Sequence, residues 1–401
     1  MTQNEKRLLI VNALYFLSGT MSGVFVNVYL YAFTGSLLEM TVYAMVRFGF
    51  FPLGFFLGGT LSRRTRLSLS LTIGLLIIIG TLGFLLTANS LFTTYGFMIH
   101  LIGVAFGIGE GIYWFSTNNL SLAVSEKKTR AKFITTMSIT NAISTVLAPA
   151  LAALIVNFSK TDTQGYLLIF QLVIILHTIT AWMSSQIDVK ANKMTYTLLD
   201  KFNLKNDPQW RYLMTTHFLF GIRDSATLVI MGLLLYNALG SVGSLYSTLL
   251  IIFSILGIVG STIVRKIQRR ENRMALYTYG AFALFGAAMV LVLMPNLTGA
   301  LIYGTVNALA APFFINPYSI IIMNAMQDYM EKGSVYGHMI VKEVMLNIGR
   351  LIGMGFILIA ARVLPQSLYM IVAVFASSIF APILVIYANR YHRQRDRLKQ
   401  A

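Results

Sequence analysis

The chain has 401 residues, 56% of them apolar and 11% charged, with a formal net charge of +17. Soluble domains run at about 45–50% apolar and about 25% charged. A cytosolic enzyme, a nucleic-acid-binding domain and a disordered chain are therefore poor fits, and a bilayer must solvate part of this surface. With no cysteine there is no disulfide framework, no thiolate nucleophile and no cysteine-held metal.

Apolar stretches of about twenty residues or more are read as membrane spans. Twelve are expected, at roughly 8–33, 39–61, 67–88, 92–121, 133–157, 166–187, 213–237, 241–263, 275–294, 298–325, 339–363 and 367–389. Period-two alternation is absent, so the spans are helices rather than barrel strands. The N-terminus, MTQNEKRLL, leads directly into the first long run, and no cleavable leader is expected.

The basic residues set the orientation. With the N-terminus inside, the inside segments hold 25 of the 31 Lys and Arg residues, including Lys6, Arg63, Arg64, Arg66, Lys127, Lys128, Lys190, Arg265, Lys332 and Arg390. The outside segments hold Lys160 and Arg362 alone. This is the positive-inside pattern, and it puts both termini in the cytoplasm. The charge then serves topology and attraction to anionic lipid heads, not nucleic acid.

The longest connection, 188–212, is polar, basic and central. It divides the chain into an N-terminal six-helix bundle (1–187), a cytoplasmic linker (188–212) and a C-terminal six-helix bundle with a basic tail (213–401). The halves repeat each other. Gly58-Gly59-Thr60-Leu61-Ser62-Arg63-Arg64 parallels Gly260-Ser261-Thr262-Ile263-Val264-Arg265-Lys266, and Phe16-Leu17-Ser18-Gly19 parallels Phe218-Leu219-Phe220-Gly221, both 202 residues apart. Repeated halves are a common build of secondary transporters.

These features together resemble the major facilitator superfamily. The loop after span 2 reads Gly59-Thr60-Leu61-Ser62-Arg63-Arg64-Thr65-Arg66. It is similar to the family's glycine, any residue, leucine, small, aspartate, basic signature, with Arg63 where the aspartate is expected. Span 5 carries Ser144, Ala148, Pro149 and Ala152, similar to the exporter-type motif but with Ser or Ala for each glycine. An ordinary small-residue packing face remains open there. In span 4 the arginine that such exporters carry before a G-x-G is absent ahead of Gly107-Ile108-Gly109.

An ionised group inside the membrane costs about 2.5–3.5 kcal/mol on insertion scales, so each needs a reason. The in-span acids are Glu110, Asp224 and Glu343; the in-span bases are Arg47, Arg223, Lys342 and Arg350. The resemblance implies that spans 1, 4, 7 and 10 line a central cavity. Glu110 lies between two glycines, with Tyr113, Trp114 and Asn118 on the same stripe. It suits either a cationic or amphiphilic ligand, or a proton carrier, or a structural ion pair with a base on another helix. Arg223 and Asp224 point about 100° apart and do not face each other. Glu343, Asn347 and Arg350 share one stripe of span 11, but Glu343 and Arg350 are about 10.5 Å apart in rise, so Arg350 needs an acid elsewhere. Lys342 is expected to snorkel. Arg47, about two turns from Glu39, is expected to be structural. Span 10 offers Tyr303, Asn307, Asn316 and Tyr318 beside Pro312 and Pro317. His100 and His177 are read as packing residues rather than relays.

The expected function is proton-coupled export of a small amphiphile by a plasma-membrane carrier, with Glu110, Asp224 and Glu343 as proton-coupling candidates. The ligand contacts expected are Glu110, Tyr113, Trp114, Asn118, Arg223, Asn307, Asn316, Tyr318 and Arg350. The alternative is a flippase-like carrier or importer of an anionic or lipid-linked saccharide. The expected partners are membrane lipids, the small-molecule substrate and protons, in a monomer without cofactor, metal or nucleic acid. No enzyme motif and no Walker-type phosphate loop is present.

Overall fold

A computed structural model of the chain describes residues 2–87, 96–125, 130–189, 199–204, 207–230, 234, 239, 244–269, 271–331 and 335–400. Long helices dominate it: α1 (Gln3–Thr34), α2 (Leu37–Arg64), α3 (Leu67–Thr87), α4 (Met98–Val124), α5 (Arg130–Phe158) and α6 (Asp162–Ser185). After a four-residue helix, Leu199–Phe202, come α7 (Pro208–Val229), α8 (Ser244–Ile267), α9 (Arg273–Leu293), α10 (Leu297–Glu331), α11 (Val335–Val363), α12 (Gln366–Ser378) and α13 (Phe380–Gln400). The twelfth expected span is broken at Ile379 into α12 and α13. Among the described residues, eleven segments are long and apolar enough to cross a membrane. The long helix outside that set is α7, whose described part ends at Val229, short of the expected end of its span at 237. Of the expected spans, 88, 92–95, 231–233, 235–237 and 241–243 lie outside the described residues, as do Lys127, Lys128, Lys190, Lys193, Lys205, Arg270 and Lys332.

Local chemistry starts and stops these helices. Thr2 and Glu5 form a capping box at α1: the Glu5 amide donates to Thr2 Oγ1 at 3.2 Å and the Thr2 amide to Glu5 Oε2 at 2.6 Å. Gly35, at φ 61°, turns the chain after α1 in the left-handed conformation that suits glycine. Ser36 then caps α2. Asp207 caps α7, with Pro208 in its first turn.

The chain divides into two compact units, Met1–Lys193 with Ser241–Ile251, and Met194–Gly240 with Ile252–Ala401. In the first unit α2 and α3 pack on α4, while α1 packs on α5 and α6. In the second, α7 packs on α11 and α9 on α10. Glycines bring backbones into contact at several crossings, most closely at two. A Cβ on Gly107 of α4 would strike the Arg47 carbonyl of α2, and one on Gly349 of α11 would strike the Phe218 carbonyl of α7. Such close approach is how helices associate where lipid removes the hydrophobic drive between them. The repeat is visible in the packing: Gly58 meets Ile112 and Phe115 of α4, and Gly260 meets Leu309 of α10. Gly58, one residue before the signature glycine Gly59, makes this contact.

The basic end of the first unit gathers on the segment after α6. Arg7 Nη1 donates to the Gln186 carbonyl at 2.7 Å, Asn4 to the Asp188 carbonyl at 3.0 Å, and Arg66 pairs with Asp188 at 3.2 Å. In the second unit, Trp210 Nε1 donates to the Lys201 carbonyl at 2.8 Å, and Tyr329 Oη to Asp207 Oδ2 at 3.2 Å. Burial and the Asp207 carboxylate raise the Tyr329 hydroxyl above the usual phenol range.

Placing a side chain at a backbone crossing forces the helices apart. Gly107→Leu and Gly349→Leu are expected to lose about 1–3 kcal/mol each, seen as a lower Tm of the purified protein. Gly286→Ala, with open space around its Cβ, is expected to leave Tm unchanged.

Candidate functional site

In the first unit, Glu110 sits near the middle of α4. Arg47 of α2 grips both its oxygens: Nε donates to Oε2 at 2.9 Å, and Nη2 donates to Oε1. The glycine crossing makes this reach possible, because Gly107 lies against the Arg47 backbone. The guanidinium also lies 5.3 Å from the Phe106 ring centroid. Arg47 therefore serves Glu110 on another helix. Glu39, its sequence neighbour, instead lies 3.5 Å from His100 Nε2.

Aromatic rings flank this pair. Tyr15 of α1 stacks on Tyr113 at 3.5 Å, and Trp114 stands edge-on to both, at 5.8 and 5.7 Å. His177 of α6 lies beside Tyr15 and shares a 3.2 Å contact with Ser18 Oγ. Tyr113 is fully buried, whereas Glu110, Trp114 and Asn118 keep partial exposure along one stripe. On α5, Ser144 Oγ donates to the Ala13 carbonyl of α1 at 2.9 Å, with Ala148 and Ala152 sealed at the same crossing. The exporter-like residues thus form a small-residue packing face.

In the second unit, Arg350 finds its acid on α7. Nη2 and Nε donate to Asp224 Oδ2 at 2.8 and 3.1 Å, and Nη1 reaches Asn347 Oδ1 at 3.3 Å. Asn347 Nδ2 in turn donates to the Glu343 carbonyl at 2.8 Å. The stripe of Glu343, Asn347 and Arg350 is thus tied through the asparagine. Lys342 does not snorkel: its Nζ lies 2.8 Å from Glu343 Oε1, with both side chains largely buried.

On α10, Tyr303, Asn307, Phe314 and Tyr318 fall at spacings of 4, 7 and 4 on one face. Tyr318 and Phe314 stack with Phe220 of α7 at 4.5 and 6.0 Å, and Tyr277 of α9 stacks on Phe314 at 4.8 Å. Asn316, two residues from both Phe314 and Tyr318, turns about 200° away from this face. Tyr318 Oη lies 2.7 Å from His217 Nδ1. His217 was not among the candidates, although it shares the α7 face of Phe220 and Asp224 at spacings of 3 and 7. The 202-residue offset also places it at the position of Tyr15. Each unit therefore sets an α1- or α7-borne ring against α4 or α10.

Arg223 differs from the other in-span bases. It is 6% exposed and lies 5.4 Å from the Phe314 ring centroid, and no hydrogen bond or ion pair holds it among the described residues.

Among the described residues the regular structure is helical, with ionic groups held inside the helices, an arrangement that fits the class of secondary transporters. A Major Facilitator Superfamily model matches residues 8–354, and the chain belongs to that family. It is 24% identical over 358 residues to the uncharacterized protein YqgE of Bacillus subtilis (strain 168), covering 88% of this chain and 82% of that one. It is 26% identical over 163 residues to an uncharacterized protein of Geobacillus stearothermophilus, covering 41% and 74%. A solved mutant of the nucleoside transporter NupG shares the fold with a TM-score of 0.71 at 12% identity, covering 97% of this chain and 100% of NupG. The Escherichia coli fucose:proton symporter FucP does so with a TM-score of 0.66 at 11% identity, covering 96% and 98%.

Removing one partner strands the other in the bundle. Arg47→Gln is expected to destabilise the protein by about 3–5 kcal/mol. Adding Glu110→Gln is expected to restore most of that loss, measured as a double-mutant cycle on thermal unfolding.

Proposed function

We propose that the protein exports a small amphiphilic molecule by alternating access, driven by inward proton movement. It works as a monomer in the plasma membrane with both termini cytoplasmic. One observation carries this reading: Glu110 and Asp224, the acids of α4 and α7, are each held by an arginine on a neighbouring helix of the same unit. An ionised carboxylate keeps such a pair closed. A proton on the carboxyl cancels the attraction and removes the cost of burying its charge. Protonated and ionised carriers then favour different faces of the membrane, which is the basis of coupling.

The ligand contacts proposed are Glu110, Tyr113, Trp114 and Asn118 in the first unit, and Arg223, Asn307, Tyr318 and Arg350 in the second; Asn316 is left out because it turns away from the α10 face. Glu343, held by Lys342, is a third proton-coupling group. The proline-centred small-residue face of α5 supports export, since it resembles the exporter motif. Proton coupling has a precedent within the shared fold, in the fucose:proton symporter.

The test is substrate-driven proton flux in proteoliposomes. Glu110→Gln and Asp224→Asn are each expected to lower coupled flux by about tenfold or more. Parental coupling in both variants contradicts the proposed mechanism.

A further inference from the structure

Three in-span acids face four in-span bases, and the structure pairs all the acids: Glu110 with Arg47, Asp224 with Arg350, and Glu343 with Lys342. Arg223 is the remaining base. Its guanidinium donates no hydrogen bond among the described residues, yet the residue is 94% withdrawn from solvent. A cation is not left bare in a bundle core without a compensating role. The repeat sharpens the point. Subtracting the 202-residue offset places Arg223 at Met21, which is 1% exposed. The first unit fills this position with an ordinary apolar side chain; the second fills it with a charge.

The surroundings of Arg223 suit an anion carried on an apolar or aromatic body. Phe314 supplies a ring face beneath the guanidinium. Tyr277 of α9 stacks on the same Phe314 ring at 4.8 Å, which brings its hydroxyl to this neighbourhood. The Tyr277 hydroxyl is buried with no hydrogen-bond partner among the described residues, so it is a donor awaiting an acceptor. Asn307 Oδ1, between Tyr303 and Phe314 on the α10 face, is likewise buried without a partner. It can accept from a hydroxyl or amine next to the anionic group.

We propose that Arg223 is the anion-binding residue of the second unit: it takes a carboxylate or phosphate of the carried molecule, with Phe314 against the apolar body and Tyr277 donating to a second anion oxygen. The guanidinium fork matches both oxyanions bidentately. This rests on the carrier reading and gives its cargo a charge sign. The two sources of such a group are a soluble organic anion and an anionic lipid head.

The experiment is binding to the purified full-length protein. In one arm, phenylacetate, phenyl phosphate, phenethylammonium and phenethyl alcohol are titrated by calorimetry. In the other, native mass spectrometry counts retained phosphatidylglycerol against phosphatidylcholine. Wild type is expected to prefer an anionic probe in at least one arm, and the arm that responds identifies the source. Arg223→Met, the residue of the equivalent position, is expected to unfold no more easily than wild type. It should bind that probe weaker by on the order of tenfold to a hundredfold, while Arg223→Lys keeps part of the affinity. A folded Arg223→Met that binds anions as wild type does overturns the proposal. So does wild type that takes no anionic probe in either arm, or that favours phenethylammonium. A large loss of Tm in Arg223→Met overturns it as well, because that marks a structural cation. Binding is read apart from flux. Anion binding without proton-coupled transport defeats the carrier mechanism alone, and coupled transport of a cation defeats the assignment of Arg223 alone.

Discussion

The controlling constraint is that no water stands at the middle of the bilayer to solvate an ion. Each charge carried there must be neutralised by a partner or by cargo. This chain carries seven such groups and settles six of them in three pairs. Two of the pairs bridge helices and sit at the tightest backbone crossings of their units, α2 on α4 and α7 on α11. The glycines at those crossings and the ion pairs depend on each other. Without Gly107 and Gly349 the backbones stand too far apart for a short bidentate contact. Without the pairs, the crossings enclose bare charge.

The two units use the same scaffold differently. Under the 202-residue offset, Arg47 falls at Leu249, and Asp224 at Ser22. The charges are therefore not shared by the two halves, whereas the glycine contact of α2 on α4 and of α8 on α10 is common to both. Where the second unit places the Asp224–Arg350 pair between α7 and α11, the first packs the small residues of α5 on α1. The first unit thus carries its inter-helix ion pair between α2 and α4 and a small-residue face between α1 and α5, whereas the second carries its ion pair between α7 and α11.

Hydropathy and the spacing of long apolar runs made the helices, their number and the family resemblance legible, because lipid leaves the backbone few other choices. The face shared by Glu343, Asn347 and Arg350 was legible for the same reason that any helical stripe is. Partners were harder to read, since spacing along one helix says nothing of which neighbour it meets. Arg47 looked closest to Glu39 along α2, yet its acid is 63 residues away on α4. Lys342 seemed free to reach the interface, but Glu343 beside it offered a nearer charge. His217 was not legible from α7 alone, because its partner Tyr318 lies on another helix; the repeat with Tyr15 was the signal that marked it.

The central claim is that the buried carboxylates alternate between an ionised, arginine-held form and a protonated form. Infrared difference spectroscopy of the protein in lipid, recorded during acidification, reads that directly. The account predicts a carboxylic-acid carbonyl band that grows as carboxylate absorption falls and is diminished in both Glu110→Gln and Asp224→Asn. Carboxylates that stay ionised throughout, or a band unchanged in both variants, would contradict it.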